Sequence, residues 1–525
     1  MSASSADQNW QPRYNPWLIA WVVTIATFME VLDTSIANVA LPHIAGSLAA
    51  GVDESTWVLT SYLVANAIIL PLNGLFSSIL GRKRYYMVSV AMFTLSSLLC
   101  GLAPNLHWLV FFRVLQGLGG GGLQPTSQAI LLDTFPAEQI GMAMALYGVS
   151  VVTAPIIGPT LGGWITDNYN WRWIFFINIP IGLLSLLPTA RVVEDPPYLE
   201  RRPASILTKD SIALGVIAVG LGSFQVMLDK GQRLDWFESR AIVILAALAG
   251  AGLVFTLIWE AFQKEPVVEV HLLEERNFFI SNILIFMVGF VLYGSTVLLP
   301  LLLQTLIGYS ATKAGLVLSP GGIMTMICMP LVGLLLGRVQ ARWLIAFGLA
   351  VMALSLEAMA RFSLQVDYGT AVTARLIQSA ALAFLFVPIN AAAYAFVPGP
   401  KHTQASGMIN LSRNIGGGVG IALASTILAR YSQVHQSILS ANLNAMNPQY
   451  QAALHRTAQR LIWRGVSPAN APALAHGILY QELVRQSTML AYITDFRFMS
   501  MACLGTLLLV FLLKRGDITR APMGE

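Results

Sequence analysis

The sequence predicts an all-α membrane protein: two six-helix bundles with two further helices inserted between them, fourteen transmembrane helices in all. Three observations predict it. Of 525 residues, 56% are hydrophobic and only 11% charged, whereas soluble domains carry about 25% charged residues; a water-soluble chain this poor in charge could not cover its surface. Uncharged apolar runs repeatedly reach the roughly 20 residues that cross a bilayer, and runs of that length satisfy their backbone in hydrocarbon as helices. Finally, three phrases recur in the same order in the two halves of the chain.

Spans are expected near 17–41, 56–76, 85–103, 107–132, 140–163 and 171–190, forming a first bundle over 17–190. Two inserted spans follow near 211–229 and 240–260, making an insert over 211–260. The second bundle, 278–514, holds spans near 278–303, 312–336, 342–361, 370–396, 405–430 and 492–514, with a long loop at 431–491. The first apolar run is too long for a cleaved signal peptide and should remain as a span.

The bundles read as a repeat. PLNGLFSSILGRKRYY (71–86) resembles PLVGLLLGRVQARW (330–343), and FPAEQIGMAMAL (135–146) resembles VPGPKHTQASGMINL (397–411). FFRVLQGLGG (111–120) resembles TARLIQSAAL (373–382), with Arg113 and Gln116 matching Arg375 and Gln378 at an offset of 262. Repeated halves with a site at their interface are the architecture of secondary transporters.

Orientation follows from short basic loops. Arg82, Lys83 and Arg84, then Arg191, Arg201, Arg202 and Lys209, then Arg338 and Arg342, then Lys514 and Arg515 all fall on one side. That side is expected to be cytoplasmic, with both termini there. The formal charge of +5 is thereby explained by topology, with no nucleic-acid partner. Cys100, Cys328 and Cys503 lie in apolar runs and read as packing residues without disulfide or metal.

Within the fifth span, GVSVVTAPIIGPTLGGW (148–164) combines apolar character with the two poorest helix formers. Ala154, Gly158 and Gly162 recur every fourth residue as a stripe without bulk, which lets two membrane helices approach closely. Pro155 and Pro159 beside it remove backbone donors and bend the helix. The residues alone allow either plain close packing or a smooth sliding face.

Charges inside a bilayer cost at least about 2.5–3.5 kcal/mol on insertion scales, so each needs a reason. Glu30 and Asp33 lie three apart on the first span, and Arg113 lies on the fourth. Asp33 precedes the outer end of its span by about eight residues, and Arg113 follows the outer end of its own by about six. Equal depth predicts that they pair, either as a static brace or as a proton-switching couple. Glu30 is read as a second proton site, a counter-charge for cationic cargo, or a neutral lipid-facing acid. Arg375 and Arg413 occupy the second half, Arg413 either in the cavity or snorkelling to the surface. Glu357 lies near an outer span end, and Asp229 and Asp235 read as solvated turn charges.

These segments resemble the major facilitator superfamily, in its fourteen-helix drug:proton antiporter branch. GLFSSILGRKR resembles the loop motif after the second span, LVFFRVLQGLGGGG the fourth-span motif, GVSVVTAPIIGPTLGG the fifth-span antiporter motif, and LDTSIANVALP (32–42) the first-span motif of that branch. FQVMLDKGQRLDWF (224–237) and WRWIFFINIPIG (171–182) are similar to EmrB-type multidrug exporters. The resemblance implies the major facilitator fold, proton coupling through Asp33, Glu30 and Arg113, and conformational coupling through Gly148, Ala154, Pro155, Gly158, Pro159, Gly162 and Gly163, whose span seals against the other half. It implies a cytoplasmic gate at Gly74, Gly81, Arg82 and Lys83. Ser78 stands where the loop motif usually carries an acid, so that charge network must be wired differently here.

No nucleotide machine is visible. GLGGGG (117–122) lacks the Lys and Ser/Thr of a phosphate loop and lies inside a span, and the seven histidines are scattered. No cofactor is expected; the energy source is a proton gradient. The cavity should be apolar with a few polar groups, drawn from Gln116, Tyr147, Tyr293, Gln378, Asn390 and Arg413, with Tyr62, Asn66, Gln124 and Gln304 as further candidates. The 431–491 segment, with helical patterning such as NPQYQAALHRTAQRLIWRG (447–465), is longer than a connector needs. It serves either as a cap or, by the resemblance, within a pump that works with a periplasmic adaptor and an outer-membrane channel in the inner membrane of a two-membrane bacterium. The expected activity is export of lipophilic drugs. Alternatives are a dedicated exporter of one metabolite, siderophore or fatty acid, proton-coupled uptake, and a non-transporting receptor or scaffold. No nucleophile–base or metal constellation supports an enzyme.

Overall fold

A computed structural model describes residues 10, 12–199, 201–203, 205–206, 210–263, 266–441, 443–444 and 446–514; Lys209 and Arg515 lie outside them. These residues form fourteen helices of 19 residues or more, and no strand occurs among them. The first six are α1 (Pro16–Ser47), α2 (Trp57–Leu80), α3 (Arg82–Leu102), α4 (Leu106–Thr134), α5 (Ile140–Asn168) and α6 (Trp173–Val192). The inserted pair is α7 (Ser211–Lys230) and α8 (Arg240–Phe262). The last set is α9 (Arg276–Thr305), α10 (Ala311–Leu335), α11 (Ala341–Met359), α12 (Tyr368–Tyr394), α13 (His402–Ser440) and α15 (Ala471–Val510), with the shorter α14 (Pro448–Trp463) before α15.

Twelve of the long helices are both long and apolar enough to cross a membrane. The exceptions, α4 and α13, have the length but carry the glutamines, asparagines and arginines that meet at the centre of the molecule. Side-chain caps mark several starts: Asn105 accepts from Trp108 N, Ser310 from Lys313 N and Asp367 from Thr370 N, supplying acceptors to otherwise orphaned donors. The sharp α2–α3 turn depends on Gly81, whose φ of +85° is left-handed and whose missing side chain leaves room for the Asp195 carboxylate.

The two sets of six repeat each other's packing. In the first, α1 lies on α5, α2 on α4, and α3 on α4 and α6; in the second, α9 lies on α13, α10 on α12, and α11 on α12 and α15. The sets meet along two seams, α5 against α10 and α12, and α2 with α4 against α13. The α7–α8 hairpin, closed by the mutual approach of Gly220 and Gly252, packs on α2 and also touches α13. It therefore covers the second seam from outside.

The helical patterning of the 431–491 segment forms α14 (Pro448–Trp463), but its flanks continue the neighbouring helices instead of looping. Helix α13 continues to Ser440 and α15 begins at Ala471, giving helices of 39 and 40 residues. At 1.5 Å per residue each is about 60 Å long, roughly twice the hydrocarbon thickness. The extensions are joined by Ser432–Thr488 (3.3 Å), His435–Thr494 (3.4 Å) and Gln436–Tyr480 (2.8 Å). Polar residues outside the apolar runs end the hydropathy signal without ending the helix.

Candidate functional site

The anticipated pair is formed. Arg113 Nη1 donates to Asp33 Oδ2 at 2.5 Å, with both side chains buried. Gln116 (3.0 Å) and Asn178 (2.7 Å) donate to Asp33 Oδ1. Arg113 also donates to Val58 O (2.9 Å) and Gln116 Oε1 (2.8 Å), and lies 4.3 Å from the centroid of the Tyr62 ring. Every partner comes from the first half, so the carboxylate is locked to a rigid bundle.

Glu30 sits one helical turn away in a different setting. Tyr62 Oη (2.8 Å), Asn66 Nδ2 (3.1 Å) and Gln124 Nε2 all donate to it. These donors are neutral, yet the carboxylate is buried. Gln124 in turn accepts through Oε1 from Arg413 Nη2 on α13, and Asn414 Nδ2 donates to Asn66 Oδ1 at 3.3 Å. One amide thus joins a carboxylate of the first half to a guanidinium of the second. Gly120 makes room for this arrangement, since a β-carbon there would lie 2.5 Å from Tyr62 Oη.

A second polar chain crosses the seam nearer the basic loops. Gln128 donates to Asn390 Oδ1 (2.6 Å), Asn410 to Gln128 Oε1 (3.0 Å), and Tyr147 to Asn410 Oδ1 (3.1 Å). Tyr147 and Asn390 are therefore brought to the interface. Tyr293 packs beside Gly417 of α13. Arg413 is buried and aimed at the centre, so the snorkelling alternative does not hold: its guanidinium finds an acceptor inside.

The repeat extends to hydrogen bonds. Gln378 Nε2 donates to Ser295 Oγ at 2.9 Å as Gln116 does to Asp33, and Arg375 donates to Gln378 Oε1 at 2.5 Å. Ser295 lies at the same 262-residue offset from Asp33. The second half thus keeps the arginine and glutamine, with a hydroxyl in place of the acid.

The fifth-helix motif is divided between two faces. β-Carbons at Gly158 and Gly162 would press on Ser35 and Ile36 of α1, within the same half. The other half is met by Gly148, against Met329 and Phe386, by Gly141 against Gly333, and by Thr160, whose hydroxyl lies 3.2 Å from that of Ser319. Gly158 and Gly162 thus pack within their own half, while the span itself meets the other half through Gly141, Gly148 and Thr160. Gly416 and Gly420, in register with Ala154 and Gly158, press on α9 in the same way; the stripe is a packing device used once per half. Ala154 is buried on this helix, Pro155 O accepts from Ser35 Oγ at 3.2 Å, Pro159 lies in the next turn, and nothing approaches the β-position of Gly163 within 4 Å.

At the basic end, Arg82 forms an ion pair with Asp133 and donates to Gly399 O (2.9 Å), while His402 Nδ1 lies 2.9 Å from Asp133 Oδ1. Gly74 admits Gln404 of α13. Asp195 accepts from Lys83 N at 2.7 Å. With Ser78 in the loop motif, the halves are linked here by the Asp133–His402 hydrogen bond and by Arg82 reaching Gly399 O.

Sequence reasoning missed Gln128, Asn410, Asn178, Asp133, His402 and Asp495. One signal was available: Gln116, Gly120, Gln124 and Gln128 recur every fourth residue, one polar stripe on α4. Asp495 on α15 is buried, and both its carboxylate oxygens lack a hydrogen-bond partner among the described residues.

Paired bundles around a buried polar seam define a multi-span transporter, and the comparisons agree. The model of the Major Facilitator Superfamily matches residues 23–421. The chain is 38% identical over 432 residues to the multidrug export protein EmrB of Escherichia coli, covering 82% of this chain and 83% of that one. It is 37% identical over 469 residues to the fatty acid resistance protein FarB of Neisseria gonorrhoeae, covering 88% and 90%. Among solved structures, the human organic anion transporter MFSD10 matches with a TM-score of 0.57 at 14% identity, covering 96% and 100%. The proton:xylose symporter XylE matches at 0.56 and 15%, covering 93% and 94%; at such identities the likeness concerns the fold. The chain belongs to the Major Facilitator Superfamily and is a membrane transporter rather than an enzyme.

Proposed function

We propose that the chain exports lipophilic and amphipathic compounds by proton antiport, alternating between access from either side. The observation that carries this reading is Glu30: buried, held only by neutral donors, and linked through Gln124 to Arg413 across the seam. An ionised Glu30 holds Gln124 in the orientation that presents its carbonyl oxygen to Arg413. Protonation removes the charge that orders this chain and loosens the contact between halves. Glu30 is thus the proton carrier, and Asp33 with Arg113 positions the first bundle. The names of the EmrB relatives support drug export, and that of FarB makes a dedicated fatty-acid exporter the second reading.

The likeness to EmrB of Escherichia coli supports residence in a bacterial inner membrane, and the positive-inside rule puts both termini on the cytoplasmic side. The long α13–α15 hairpin then stands in the periplasm, where it receives an adaptor leading to an outer-membrane channel. The test is a preset pH gradient in everted vesicles challenged with lipophilic drugs. Wild type and Asp33→Asn dissipate the gradient on drug addition, and Glu30→Gln does not. A Glu30→Gln variant that still exchanges protons for drug overturns the assignment; a wild type silent to every drug removes the multidrug reading.

A further inference from the structure

A cavity lies on the outer side of the α2–α13 seam. It holds about 450 Å³ between α2, α7, α8, α9 and α13, within the roughly 300–1,000 Å³ range of small-molecule sites. Pro71, Leu221, Leu253, Phe286, Met408 and Leu411 form its walls, and no charged side chain lines it among the described residues. Its only polar members are Thr256, Asn282 and Ser412. Thr256 is engaged with Gly252 O (2.8 Å), Ser412 with Asn282 Oδ1 (2.8 Å), and Asn282 Nδ2 with Phe278 O (2.9 Å). Their hydrogen bonds are already made, so the site asks for hydrocarbon.

Its depth and mouth indicate where that hydrocarbon comes from. Leu221, Phe286 and Ser412 each lie ten residues into their helices from the basic end, about 15 Å at 1.5 Å per residue. The cavity therefore spans one leaflet of a core about 30 Å thick. Its surface end is closed by the connector bearing Val268, Val270 and Leu273, which Glu260 anchors by accepting from Val267 N (2.7 Å) and Val268 N (3.3 Å). The exposed lining residues are Leu257 of α8 (52%) and Phe279 of α9 (48%), so the opening is lateral. At its inner end Ser412 precedes Arg413 and Asn414, two of the α13 residues that reach the central seam.

We propose that this groove is a docking site for a single-chain lipophilic cargo molecule arriving from the leaflet on the basic-loop side. It rests on the export reading for its purpose, not for its detection. The proposal gives the inserted helices α7 and α8 a role, since they roof the α2–α13 seam and turn it into a pocket open to the membrane.

The test uses full-length protein in nanodiscs of phosphatidylethanolamine and phosphatidylglycerol, with photoreactive palmitic acid and, separately, a phosphatidylcholine bearing the same photoreactive chain. Saturable labelling by the fatty acid at Leu257, Ile283 or Met408, weaker by at least about fivefold from the phospholipid and lost in Leu221→Trp, is expected. Met408→Phe fills the groove from the opposite wall and replaces Leu221→Trp if that variant does not fold. For any lipophile the wild type exports, the filled variants raise KM about tenfold with kcat within twofold. Labelling that does not saturate, or that is equal from the phospholipid, makes the groove a seat for bulk lipid and overturns the proposal. So does an unchanged KM. A wild type that exports nothing while saturable labelling persists sinks the export reading and leaves the lipophile site standing.

Discussion

Asp33→Asn separates a brace from a proton carrier. Asp33 is 2% exposed and accepts three hydrogen bonds, at 2.5, 2.7 and 3.0 Å. An asparagine in the same rotamer keeps an oxygen for Gln116 and Asn178 but turns an amide toward Arg113, leaving that guanidinium buried without its counter-charge. Breaking a buried pair by removing one partner costs about 3–5 kcal/mol. Val58 O, Gln116 Oε1 and the Tyr62 ring still receive the guanidinium, which sets the expectation at the lower end, about 3 kcal/mol. Removing both charges, in Asp33→Asn/Arg113→Gln, should recover at least half, because no uncompensated ion remains. The assay is SDS-induced unfolding in mixed micelles followed by tryptophan fluorescence, with gradient-driven exchange measured on the folded fraction. A single-variant loss below about 1 kcal/mol, or additive losses in the double variant, would refute the brace.

Other expectations follow from the same geometry. Gly158→Leu and Gly420→Leu each drive bulk into the neighbouring helix of their own half and should cost about 1–3 kcal/mol in the same unfolding assay, whereas Gly148→Leu, at the seam, should slow exchange while the fold persists. Gly81→Ala places a β-carbon at φ +85° against Asp195 and should destabilise by about 1–3 kcal/mol; melting of the purified protein reads it. Asp133→Asn removes the charge that Arg82 and His402 share, so a cysteine placed at Ser77 should react about tenfold faster with an impermeant maleimide from the basic end. An unchanged rate would show that this link does not hold the halves together.

Span lengths, the repeat and the Asp33–Arg113 contact were legible because each depends on counting along the chain. Apolar run length sets helix existence, and equal depth sets which charges can meet. The direction in which a residue faces was harder to read. Gly158 and Gly162 read the same whether their partner is α1 or the other half, and only the three-dimensional register of α5 decides. Glu30 gained its importance from Gln124 and Arg413, residues whose meeting depends on how two bundles dock. The α13 and α15 extensions were lost because a helix in water needs no continuous apolar run. Where α7 and α8 sit was not encoded in any periodicity, since a hairpin apolar on all sides can lie against many faces.

The length of α13 and α15 has a mechanical consequence. If about 30 Å of each projects beyond the hydrocarbon core, the pair is a stiff lever rooted in the second bundle. Each degree of tilt moves its tip by about half an ångström, so a ten-degree rocking of the bundle, the motion by which such halves exchange access, sweeps the tip through about 5 Å. That stroke is comparable to one helical turn, large enough for a protein seated there to exchange one set of contacts for the next. Whatever rides on the hairpin is therefore informed of the transport cycle by displacement, without touching the cargo.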